Sequence, residues 1–107
     1  MGNGNIMSGI EDTALHRVIT VEAYVSGKVQ GVGFRACVRN IAAGLSLTGI
    51  VQNLDDGRVF FAATGDSASI DKLISSLHEC PRAIVKNIDA KEVPLRSFDG
   101  FNIVRIP

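Results

Sequence analysis

The 107-residue chain has no tryptophan, one tyrosine, three prolines, and only two cysteines and two histidines. Two histidines as distant as His16 and His78, with cysteines as distant as Cys37 and Cys80, offer neither a CxxC pair nor a metal-ligand spacing, so no metal site is expected. In a reducing compartment the cysteines are expected to be free thiols. Charge of one sign is also missing: eleven basic residues balance eleven acidic ones, and no global field favours nucleic acid or an anionic membrane. No apolar run approaches the roughly 20 residues of a membrane span. The opening "MGNGNIMSGIEDTALH" lacks the basic and apolar regions of a secretory signal. It also carries Ile6 where a myristoylation signal needs Ser or Thr. The address expected is cytoplasmic, with residues 1–16 a flexible tail and residues 17–107 one domain.

What is present is periodicity. From Arg17 to Ser26, Ile19, Val21, Ala23 and Val25 alternate with Val18, Thr20, Glu22 and Tyr24, which predicts a strand with one buried face. Val38, Ile41, Ala42 and Leu45 then recur at helical spacing. Asp55-Asp56-Gly57 sits between two apolar runs, and an Asp-Gly pair supplies the positive φ of a tight antiparallel hairpin. A second helix is predicted with Ile70, Leu73, Ile74 and Leu77 inward, stopped by Cys80-Pro81. "AIVKNIDAKEV" and "FNIVRI" read as two more strands. Strand, helix, hairpin, helix, strand, with an extra strand at the end, is an α+β arrangement. It predicts a ferredoxin-like split β-α-β sandwich, with two helices on one face of a mostly antiparallel four- to five-stranded sheet.

The segment between the first strand and first helix, "SGKVQGVGFR", carries Gly27, Gly31 and Gly33 and closes on Arg35. By letters "GVGFRA" fits a dinucleotide fingerprint, but that motif needs a parallel β-α-β unit, and here the helix leads into a hairpin. It is not a Walker A loop either, since no Gly-Lys-Ser/Thr closes it. A glycine loop at a helix N-terminus can still turn several N–H groups inward to hold a compact oxyanion. Arg35 opposes the helix dipole unless an anion is bound, and its guanidinium matches phosphate oxygens bidentately. On glycine placement alone, a tight turn with Arg35 in solvent stands beside the phosphate nest. Phe60 and Phe61 lack the basic companions of an RNA-recognition sheet and are expected in the core.

The run Gly27-Lys28-Val29-Gln30-Gly31-Val32-Gly33-Phe34-Arg35, then Gly49-Ile50-Val51-Gln52-Asn53 with Gly57, Val59 and Gly65 following, resembles the acylphosphatase family. "AAGLSLTG", "PRAIV" and "FDGFNIV" extend the likeness over roughly residues 17–106. The resemblance implies a cofactor-free, metal-free hydrolase of carboxyl-phosphate mixed anhydrides, acting as a monomer on a small-molecule acyl phosphate, with no nucleic acid or membrane partner. It implies Arg35 as the phosphate-binding arginine and Asn53 as the holder of the attacking water. The backbone amides of Gln30, Gly31, Val32, Gly33, Phe34 and Arg35 are implied as the phosphate cradle. The chain departs from the family at Val38 (usually threonine), Ser46 (glycine), Ile50 (aromatic) and Cys80 (glycine). Ile50 and Ser46 bear on packing, whereas valine at 38 cannot offer the asparagine or its water a hydroxyl. The alternative is a non-catalytic ferredoxin-like module that senses phosphate or a metabolite.

Overall fold

A computed structural model describes residues 17–105; the expected N-terminal tail lies outside the described residues, as do residues 106–107. The elements run β1 (Val18–Lys28), α1 (Phe34–Gly44), β2 (Thr48–Asn53), β3 (Val59–Asp66), α2 (Ser67–Ser76), a 3₁₀ turn (Leu77–Glu79), β4 (Ile84–Val93) and β5 (Phe101–Ile103). The five strands form one sheet in the order β4-β1-β3-β2-β5. Pairing is antiparallel except between β2 and β5, which run parallel. The split β-α-β sandwich is therefore present, with two helices on a five-stranded mixed sheet.

The alternation in β1 does what its period requires. Val21, Ala23 and Val25 are buried on the helix-covered face, where they join Phe34, Val38 and Ala42 of α1 and Ile70, Leu73 and Leu77 beneath α2. Burying each large aliphatic or aromatic side chain contributes roughly 1.5–3 kcal/mol against exposure. Thr20, one residue out of phase, is also fully buried. Its hydroxyl lies 2.6 Å from that of Thr64 and accepts a 2.9 Å hydrogen bond from the Arg96 amide. The Thr64 hydroxyl in turn donates to the Arg96 carbonyl at 2.9 Å. The segment after β4 thus crosses the second face of the sheet at this threonine pair and leaves no buried hydroxyl unpaired.

The cysteines are not free. Cys37 on α1 and Cys80 after the 3₁₀ turn form a disulfide with a Cα–Cα distance of 6.0 Å. Both helices lie on one sheet face, and α1 packs beside the turn that ends the second helical segment, which brings together two cysteines separated by 43 positions in sequence. Local spacing carries no trace of such a pairing.

Candidate functional site

Strand direction assembles the site. β1 is antiparallel to β3, and β3 to β2, so β1 and β2 point the same way, with Val25, Val59 and Asn53 in lateral register. The glycine loop after β1 and Asn53 at the close of β2 therefore leave the sheet at the same end. β5 pairs parallel to β2 with Val51 opposite Ile103, and the Val104 amide donates to the Val51 carbonyl at 2.8 Å. That pairing carries Arg105 to this end too.

The loop is anchored on both sides. Val29 and Phe34 are buried in the core, while Gly31 and Gly33 hold φ of 73° and 79°. That left-handed region is one that glycine enters without a steric penalty. Gly33 caps α1, whose hydrogen-bond ladder begins with the Cys37 amide donating to the Gly33 carbonyl at 3.1 Å. The amides of Phe34 and Arg35 belong to that first turn, which has no earlier helical carbonyl to bond. Among the described residues, nothing accepts a hydrogen bond from the amides of Gln30, Gly31, Val32 or Gly33.

Gln30 does more than its backbone suggested. Its side-chain Nε2 donates to the Leu54 carbonyl at 2.8 Å and to the Arg58 carbonyl at 2.9 Å. This crosslinks the glycine loop to the hairpin turn that follows Asn53. The turn is further held by Asp56, whose carboxylate accepts from the Arg58 amide at 3.0 Å and from Arg58 Nε at 2.8 Å. The Arg58 amide, followed by its guanidinium, holds the Asp56 carboxyl below its ordinary 3.8.

Arg35 and Asn53 come together in one cavity of about 500 Å³, lined by Gln30, Arg35, Asn53, Leu54, Asp55, Val104 and Arg105. A smaller hollow of about 190 Å³ opens along the glycine loop, with Gly31, Gly33, Phe34, Arg35 and Arg105 in its wall. Arg35 is half-buried and forms no ion pair or hydrogen bond with another described side chain. Asn53 Oδ1 is buried and has no hydrogen-bond partner among the described residues. A buried acceptor left in this way costs about 1–3 kcal/mol, a cost typical of a residue kept for function. Val32 packs against the core and offers the loop only its backbone. Val38 is fully buried in the core, on the helix that starts with the loop.

The arrangement unites a loop of unspent N–H donors, the guanidinium groups of Arg35 and Arg105, neither of them paired with a described residue, and the Asn53 carboxamide. Those groups suit a tetrahedral oxyanion with a directed water beside it. Sequence reasoning missed Asp55, noticed only as turn chemistry, and Arg105, which no motif marks.

The acylphosphatase family model matches residues 21–103. A curated acylphosphatase of Archaeoglobus fulgidus is 39% identical over 87 residues, covering 80% of this chain and 98% of that protein. One from Acaryochloris marina is 44% identical over 89 residues, covering 82% and 96%. The solved structure of an acylphosphatase from Coxiella burnetii superposes with a TM-score of 0.78 at 40% identity, covering 81% of this chain and 93% of that one.

Proposed function

The chain belongs to the acylphosphatase family and is an acylphosphatase; on that premise we propose how its residues divide the hydrolysis of an acyl phosphate to a carboxylate and inorganic phosphate. The observation that carries the reading is the shared cavity of Arg35 and Asn53 beside the unspent amides of the glycine loop. The amides of Gln30 to Arg35 and the Arg35 guanidinium hold the phosphoryl oxygens. Phosphoryl transfer has a loose transition state with charge spread over those oxygens, so positioning and charge stabilisation are the protein's main tasks. The Asn53 carboxamide holds one water by hydrogen bond and aims it at phosphorus. The water oxygen bonds to phosphorus as the bond to the acyl oxygen breaks. The carboxylate leaves with the electron pair, and the water's proton passes to solvent or to the phosphate formed. A carboxylate is a good enough leaving group to need no general acid. Correct orientation alone can lower a barrier by roughly 7–11 kcal/mol in the best intramolecular cases.

The same proposal takes in a monomer acting on a small diffusible acyl phosphate, without nucleic acid or membrane. Among the described residues no helix is long and apolar enough to cross a membrane. The non-catalytic sensing module is not favoured, since the curated relatives share the enzyme's name over most of the chain.

The experiment is steady-state turnover of acetyl phosphate, benzoyl phosphate and p-nitrophenyl phosphate by wild type and Arg35→Ala. Wild type should hydrolyse both acyl phosphates and leave the monoester essentially untouched. Arg35→Ala should lose about a thousandfold in kcat/KM, in line with a transition-state arginine. Full activity in Arg35→Ala would place the chemistry elsewhere.

A further inference from the structure

The glycine loop has more positive charge around it than its motif accounts for. Arg35 and Arg105 both stand in the wall of the smaller hollow along Gly31 and Gly33, and no acidic side chain does. Both also line the larger cavity beside Asn53, so the two hollows share this pair of guanidinium groups. Asp55 lines only the larger cavity and forms an ion pair with neither arginine. Arg105 is exposed and, among the described residues, has no hydrogen bond or ion pair. Two unpaired cations around one small hollow repel each other, and a bound dianion replaces that repulsion with attraction to both.

Strand pairing, not a motif, delivers Arg105. β5 has only three residues, yet it is held at both ends. The Gly49 amide donates to the Gly100 carbonyl at 2.9 Å, and the Val104 amide donates to the Val51 carbonyl at 2.8 Å. Between these bonds Phe101 is buried, and a Cβ on Gly49 would lie 2.8 Å from its ring, so glycine at 49 lets the two strands close together. Ile103 packs against the core and lines the same hollow as Arg105. The backbone just before Arg105 is thus tied to β2, the strand that ends in Asn53. One strand positions both residues.

Resting on the proposed mechanism, we propose that Arg105 is a second phosphate-binding arginine, sharing with Arg35 the charge of the transferred phosphoryl group. Two guanidinium forks offer the phosphoryl oxygens more paired hydrogen bonds than one fork can. Charge spreads over those oxygens in the loose transition state, so the second fork acts on the reacting group itself. Inorganic phosphate presents the same oxygens, and Arg105 therefore strengthens product binding as well. Arg105 is exposed where Arg35 is half-buried, so water screens it more and its share is the smaller one.

The test measures kcat/KM for benzoyl phosphate and the inhibition constant of inorganic phosphate in wild type, Arg105→Gln, Arg105→Lys and Arg35→Ala. Arg105→Gln should lose about tenfold in kcat/KM, the lower end for a hydrogen bond to a charged group. It should weaken phosphate inhibition by a similar factor. Arg105→Lys keeps the charge without the fork and should fall between wild type and Arg105→Gln in both readouts. Thermal unfolding should give Arg105→Gln the wild-type Tm, since a purely structural residue would lower Tm and leave the phosphate constant alone. Wild-type values of both constants in Arg105→Gln, or slower turnover with an unmoved phosphate constant, overturn the proposal. If Arg35→Ala keeps full activity, it is the underlying mechanism that fails, whatever Arg105→Gln does.

Discussion

Breaking the Cys37–Cys80 bridge should destabilise the fold by an amount that its position in the chain sets. The bridge closes a loop of 43 positions. Loop-closure entropy for that length corresponds to about 4 kcal/mol at 25 °C, all acting on the unfolded chain. For a domain of this size that is a fall in Tm of about 20 °C. The assay is thermal unfolding followed by circular dichroism, with and without dithiothreitol, beside a Cys37→Ala/Cys80→Ala double variant. Wild type should melt lower under reduction, whereas the variant should not respond to reductant. A thiol count on denatured but unreduced protein should read zero. Two titratable thiols, or oxidised and reduced melts that coincide, would refute the pairing. The bridge also bears on the address, because glutathione keeps most cytoplasmic thiols reduced.

Gln30→Ala removes both hydrogen bonds that tie the glycine loop to the hairpin and should cost about 1–2 kcal/mol in urea unfolding. It should also lower kcat for benzoyl phosphate, because the loop and Asn53 lose their common support; unchanged kcat would show that the crosslink plays no part in catalysis. Because Arg58 holds the Asp56 carboxyl below 3.8, the charged form is favoured in the folded state. Its contribution is complete above about pH 4 and is lost as pH falls through the lowered value. The difference in urea midpoint between wild type and Asp56→Asn should therefore be present at pH 6 and close on acidification below about pH 4. A difference that persists to pH 2 would contradict this.

The fold was legible wherever a local rule has one answer. Val21, Ala23 and Val25 could be buried together only by a strand, and Asp56-Gly57 could only turn back on itself. Ile70, Leu73 and Leu77 could share a face only on a helix, whose last turn tightens to 3₁₀ just before the proline. That Arg35 and Asn53 line one cavity was legible through a motif that names both. What stayed hidden depends on distant pairing. The Gln30 side chain reaches a turn more than twenty residues away, and Arg105 joins the site only because β5 runs parallel to β2. Thr20 looks like an outward residue in the alternation, yet it is buried because Thr64 and Arg96 meet it from other parts of the chain. Cys37 and Cys80 needed the helix packing to be known before they could be matched.

Asn53→Ala removes the carboxamide that is argued to aim the water while leaving the glycine loop and Arg35 in place. Measured in one benzoyl phosphate assay with inorganic phosphate as competitive inhibitor, kcat should fall by about a hundredfold or more, with the phosphate inhibition constant nearly unchanged. A kcat close to wild type, or a loss of turnover matched by an equal loss of phosphate binding, would contradict the division of labour between Arg35 and Asn53.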